Sequence, residues 1–184
     1  MKKIMFNDNF LLTKEVLEET KTMTRRLLKE GTPLGNWEET AKCLPYKVGD
    51  IVAIAQPYKD IIECMAEYSD IIINVDGSIN REYKAGWTNK MFVKANLMPH
   101  HIKITDVRIE RLQDITEEDC LKEGVWQYYD NKNLFYVSKN IGYAPDVAFL
   151  SAREAFWYLT DKICGKGTWE SNPWEGVYTF ERVD

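Results

Sequence analysis

Apolar positions along this chain follow two periods, and each marks out different elements. Phe10, Val16 and Leu17 give one side of a short helix over 10–19, with Thr13 placed to cap it. Ser151-Ala152-Arg153-Glu154 reads as a capping box. It opens the clearest helix of the chain, with Ala152, Ala155, Phe156, Leu159 and Ile163 on one face and Gly165 past its end. Thr116-Glu117-Glu118-Asp119 starts a shorter helix that stops at Gly124, and Ile115 and Cys120 are spaced as a hydrophobic staple. The second period is two. The run Ile51 to Ala55, entered from the turn Tyr46-Lys47-Val48-Gly49-Asp50, predicts a buried strand. Segments 63–68 and 71–75 read as two more strands, followed by a hairpin-type turn at Asp76-Gly77. Ile102 and Ile104 share one parity while Val107 and Ile109 share the other, which predicts a strand with a β-bulge at Thr105-Asp106. A last strand runs from Gly176 to Val183.

Between these elements, Gly31 to Ala41 reads as a polar loop, and an irregular insertion around 76–100 reads as a long surface excursion. The sum is about five or six short strands and three helices without βαβ alternation. That pattern favours a single α+β domain over 1–184, a small, partly closed mixed β-barrel with flanking helices, rather than a doubly wound sheet.

Composition narrows the functional classes. A net charge of −5 argues against sequence-blind nucleic-acid binding, which needs a broadly basic surface. A nucleic-acid partner would therefore be met locally, in a pocket. The 12% aromatic content supplies rings that stack on bases, although barrel interiors use most such residues, and core packing accounts for at least two of Trp87, Trp169 and Trp174. Cys43, Cys64, Cys120 and Cys164 form no C-x-x-C, and the only histidines are the adjacent His100 and His101, so neither a metal site nor a cofactor is expected. No apolar run is long enough to span a membrane, and the first residues lack the apolar core of a signal peptide. A cytoplasmic protein with reduced thiols is expected. Oligomeric state is not encoded in any feature of the chain.

Candidate chemistry concentrates in Lys21-Thr22-Met23-Thr24-Arg25-Arg26. Six positions carry an amine, two hydroxyls and two guanidiniums, a donor-rich set suited to an anionic or polar ligand. Basic residues at this place also complement a helix C-terminus, which is the simpler reading. Lys21 could activate the Thr24 hydroxyl if the segment is helical or irregular, where i and i+3 share a face; in an extended segment the two point to opposite sides. Glu123 stands out because it ends a helix, where the dipole disfavours a carboxylate. Shielded from water there, its pKa would rise towards the range of a general acid. The acidic run Glu117 to Asp119 is explained by helix capping alone.

Lys21 to Arg26, Gly49-Asp50-Ile51 and the run Val107 to Asp119, with Asn172-Pro173-Trp174 and Phe180-Glu181, resemble the ASCH domain family of the PUA-like superfamily. The likeness covers most of Met1 to Arg182, least over 63–80, and the longer form looks like ASCH proteins common in phage and prophage regions. It implies a PUA-like barrel with a cleft that binds a nucleoside or a single-stranded RNA element. A branch of the superfamily hydrolyses N4-acetylcytidine. By that resemblance Thr24 would be nucleophile, Lys21 its base and Glu123 the acid, with Arg26 holding substrate. Arg25, Lys90 and Trp87 complete the expected binding set. Ala55-Gln56-Pro57-Tyr58 stands where longer relatives carry an Arg-Glu pair and an aromatic, and Trp87 to Phe92 replaces their histidine-containing loop. Two other classes stay open: a phage-type protein-interaction module without catalysis, and a metal-independent ribonuclease.

Overall fold

The computed structural model describes residues 1–137 and 147–184. They fall into two compact units, one made of Met1–Phe6, Ile51–Lys103 and Arg182–Asp184, the other of Asn7–Asp50 and Ile104–Glu181.

In the smaller unit the apolar run after Gly49-Asp50 forms β3 (Ile51–Ile54), as expected. β1 (Lys2–Ile4) pairs parallel to it, and the first residues of β4 (His101–Arg111) pair antiparallel, with Val52 opposite Ile102. Of the two segments expected as strands, 63–68 is largely helical instead, and 71–75 is helical as far as Ile72, with Ile73 in a β-bridge. α3 covers Tyr58–Cys64, a 3-10 turn follows at Ala66–Tyr68, and α4 covers Ser69–Ile72. Short apolar runs carry both periods, and here the buried pair Tyr58 and Ile61, at i and i+3 directly after Pro57, decides for the helix. The Asp76-Gly77 turn does form, with the Gly77 N–H donating to Asn74 O at 2.9 Å beside an isolated bridge between Ile73 and Ile79. The insertion around 76–100 is irregular, built from single 3-10 turns at Lys84–Gly86, Lys90–Phe92 and Ala95–Leu97. It is more than a surface excursion, because Tyr83, Val93 and Met98 pack with Tyr58, Ile61 and Ile72 in this unit's core.

In the larger unit, α5 (Glu117–Lys122) and α6 (Ala152–Cys164) bury Leu112, Ile115, Cys120, Ala155, Phe156 and Leu159 together. Both expected caps are present: Thr116 Oγ1 accepts from the Asp119 N–H, and Ser151 Oγ from the Glu154 N–H, each at 3.1 Å. The apolar stripe of α6 ends one turn early, since Thr160 is buried and Ile163 is 38% exposed. A hairpin that the sequence did not announce, β5 (Val125–Gln127) with β6 (Phe135–Val137), packs on α6. α1 spans Leu12–Leu17, but Thr13 does not cap it; the N-cap is Leu11, and the Thr13 hydroxyl donates to Asp8. Part of the polar loop 31–41 is helical, as α2 (Trp37–Cys43) capped by Asn36. α7 (Thr168–Ser171) leads into β7 (Trp174–Arg182).

β4 runs unbroken through the exposed Thr105-Asp106 and lies beside β7, which pairs antiparallel with β2 (Met23–Leu27). β4 serves both ladders, giving a mixed five-stranded sheet in all and an α+β fold. Strand pairing among the described residues does not close into a barrel.

Candidate functional site: a buried ion-pair cluster

The hexapeptide is extended over its second half, and β2 begins at Met23. Lys21 lies just before it, fixed by backbone bonds on both sides. The N–H groups of Thr20 and Lys21 donate to Glu15 O at 2.9 and 3.1 Å, finishing α1, and the Thr22 N–H donates to Lys122 O at 3.0 Å, the last residue of α5. These contacts bring the end of α5 to the start of β2.

At that junction Lys21 and Glu123 meet, 2% and 4% exposed. Lys21 Nζ donates to Glu123 Oε2 at 2.7 Å and to the Glu123 carbonyl oxygen at 2.6 Å. The second bond satisfies a carbonyl that the end of a helix leaves without an intrahelical partner. The awkward placement of Glu123 is thereby compensated, because the cation that complements the helix end also pairs with its carboxylate. Burial lowers the pKa of Lys21, and the Glu123 carboxylate opposes that shift.

Arg25 occupies the other side of Glu123. Its Nη1 donates to Glu123 Oε1 at 3.2 Å, and Nη2 to Glu110 Oε2 at 2.9 Å. Arg108 extends the network: Nη2 donates to Asp119 Oδ2 at 2.6 Å, and Nε to Glu110. The Arg25 guanidinium stands 5.9 Å from the centre of the Phe156 ring. Glu175, in β7 and 3% exposed, places Oε2 3.8 Å from Arg25 Nε. That distance is too long for a hydrogen bond, and both buried atoms lack a hydrogen-bond partner. Burial, with the nearby Glu123 carboxylate, pushes the Glu175 carboxyl up to about 8. Burial also raises the Cys120 thiol to about 12, so it is held protonated and unreactive.

Thr24 takes the opposite parity. Register sets Thr24 against Tyr178, Arg25 against Val177 and Arg26 against Gly176. Ladder alternation sends Thr24, Arg26 and Tyr178 to one face, and Met23 and Arg25 to the other, where Arg25 Nη1 contacts Met23 Sδ at 3.4 Å. No hydrogen bond joins Lys21 to Thr24 among the described residues. On the Thr24 face Tyr178 meets Tyr46 edge-on at 5.4 Å, and its hydroxyl leans over Gly176, where a Cβ would lie 2.7 Å from the phenolic oxygen.

The structure thus brings Lys21, Arg25 and Glu123 together and sets Thr24 and Arg26 on the adjoining face. Lys90 and Trp87 belong to the smaller unit, where Lys90 Nζ donates to Phe6 O and Trp87 packs against the core. Sequence reasoning missed Glu110, Arg108 and Glu175, and assigned Asp119 to capping alone. The alternation Arg108-x-Glu110 was a usable sign of two charges on one strand face. A cavity of about 340 Å³ beside α6, lined by Phe149, Trp157, Tyr158 and Lys166 among others, shares no residue with the cluster. Comparison of the chain with family models, curated proteins and solved structures finds no match in any of the three.

Proposed function

We propose that the Lys21–Arg25–Glu123 cluster binds a nucleoside or a splayed base of single-stranded RNA, as the likeness to the ASCH domain and its PUA-like barrel implies. One observation carries this reading: the cluster is buried, yet its hydrogen-bonding capacity is incompletely used. Lys21 uses two of its three N–H donors, both on Glu123, and Arg25 Nε and Glu175 Oε2 have no hydrogen-bond partner. Buried polar groups are nearly always satisfied, so an unsatisfied set marks a place where something else completes it. Recognition of a base by edge contacts inside a pocket also suits an acidic protein, since it does not rely on a basic surface.

Hydrolysis of an acylated nucleobase amide is the second reading. The lowered pKa of the fully buried Lys21 favours it, because a base must lose its proton near neutrality. The hydrogen bonding of Lys21 counts against it, since the amine bonds to Glu123 and not to the Thr24 hydroxyl. Binding is therefore placed first.

The test is titration of cytidine, N4-acetylcytidine and a short single-stranded RNA, with wild type and Lys21→Met, in the presence of chelator. Saturable binding by wild type, weakened at least tenfold by the substitution and without turnover, is expected. Release of acetate that disappears with Lys21→Met would replace binding by hydrolysis, and RNA cleavage in chelator would favour the metal-independent ribonuclease. Failure of wild type to bind any of the three ligands overturns the reading.

A further inference from the structure

We infer that Arg25 Nε and the Glu175 carboxyl form a subsite for one neutral hydroxyl group, supplied by the sugar of the bound nucleoside. This rests on the binding reading above and names the part of the ligand that the second half of the cluster reads.

Two complementary atoms face each other without touching. Arg25 Nε is a donor, Glu175 Oε2 belongs to a carboxyl, and 3.8 Å separates them. A single oxygen set about 2 Å to the side of the line joining them reaches both at ordinary hydrogen-bond distance, about 2.8 Å. Both side chains are nearly sealed, at 3% and 4% exposure, so bulk solvent does not satisfy them.

Charge selects the chemistry of the occupant. Lys21, Arg25 and Arg108 are the cations of the cluster, and Glu123, Glu110 and Asp119 are the carboxylates bonded to them. Glu175 faces Arg25 Nε at 3.8 Å, within electrostatic reach of Arg26 and of the Glu123 and Glu110 carboxylates. An anion placed here would meet those carboxylates at close range, and a cation would meet the Arg25 guanidinium. A neutral group meets neither penalty. The carboxyl, raised to about 8, is itself mostly protonated at neutral pH and can donate as well as accept. A hydroxyl both accepts from Nε–H and exchanges a hydrogen bond with the carboxyl, whereas a hydrocarbon at that place leaves both buried groups unsatisfied. Arg25 Nη1 already contacts Glu123, so the slot adjoins the Lys21–Glu123 pair that takes the base. A sugar hydroxyl is the donor-acceptor that a nucleoside carries next to its base.

The test compares cytidine, 2′-deoxycytidine and 2′,3′-dideoxycytidine by calorimetric titration against wild type, Glu175→Met and Glu175→Gln. Met keeps the length of the side chain and removes its oxygens; Gln keeps a donor and an acceptor. Removal of the sugar hydroxyls is expected to weaken wild-type binding at least tenfold, with the loss clearly reduced in Glu175→Met, where only Arg25 Nε remains, and kept in Glu175→Gln. Equal affinity of the three nucleosides for wild type overturns the inference, because the gap then holds only water. Discrimination as large in Glu175→Met as in wild type overturns it as well. Should Glu175→Met not fold, the wild-type comparison and Glu175→Gln still decide, since loss of discrimination in the Gln variant contradicts the subsite. Absence of binding by every nucleoside is a different result, which removes the functional reading itself.

Discussion

Lys21 and Glu123, 102 residues apart in sequence, are joined by two hydrogen bonds from one ammonium, 2.7 Å to the carboxylate and 2.6 Å to the backbone carbonyl. The contact ties the start of β2 to the end of α5 inside the core. Removing the cation leaves a buried carboxylate with Arg25 as its remaining partner and an uncapped helix end. Lys21→Met is expected to destabilise the protein by about 3–5 kcal/mol. Urea unfolding measures this. In a double-mutant cycle, adding Glu123→Met should cost much less than its effect in the wild type, because the stranded charge is gone. Additive losses would show that the two residues do not act as a pair.

Much of this arrangement was legible from local signals. Capping residues Thr116 and Ser151 and the apolar stripe of α6 act within a few residues, and they fixed their helices correctly. The donor-rich hexapeptide and the misplaced carboxylate at Glu123 announced the cluster, because each conflicts with its local setting. Glu175 gave no such sign. In sequence it is one charge in Trp174-Glu175-Gly176, and only the β2–β7 register brings Arg25 to it. Segment 63–68 and the start of 71–75 fold as helix rather than strand, because four to six residues sample too little of either period to separate the two. Trp87 and Lys90 looked like binding groups by residue type, while the fold gives them packing and backbone contacts in the smaller unit.

Glu175 makes stability depend on pH in a definite direction. Its carboxyl keeps a proton up to about pH 8 in the folded protein, against an ordinary value of 4.5. A raised folded-state value means the contribution is complete below about pH 4.5 and is lost as pH rises through about 8. Across that window the loss approaches about 1.4 kcal/mol per pH unit. Glu175→Gln removes the titration, so its unfolding free energy should fall less steeply than that of wild type between pH 5 and pH 8. Denaturant midpoints at three pH values read the difference, and parallel slopes would sink the assignment.

Gly124 is required twice over. Its φ of +102° lies where side chains are strained, and a Cβ there would sit 2.4 Å from Glu15 Oε2 and 2.8 Å from Leu12 Cδ2. Glu15 is 1% exposed and accepts from Trp126 Nε1 at 2.6 Å, so it has little room to retreat. Gly124→Ala should cost about 2–4 kcal/mol, combining backbone strain with overpacking. A fall in thermal midpoint with a shift in tryptophan emission is the expected outcome; an unchanged midpoint would mean that the Gly124 turn tolerates a side chain.

Arg25 and Thr24 are neighbours in sequence on opposite faces of β2, so substitutions at the two distinguish the binding proposal from the hydrolytic one. If the ligand completes the Lys21–Arg25–Glu123 side, Thr24→Val keeps the branched shape and leaves nucleoside affinity within about threefold, or 0.7 kcal/mol. Arg25→Lys removes the planar fork that spans Glu123 and Glu110, and affinity should drop by at least about tenfold, from the loss of charge-assisted bonds of about 1.5–3 kcal/mol. Paired titrations of the two variants with cytidine test this. The reverse order, with Thr24→Val the more damaging, would place the ligand on the Tyr178 face and restore the Thr24 hydroxyl as the reacting group. Binding geometry and chemistry would then have to be rebuilt around Thr24, Arg26 and Tyr178.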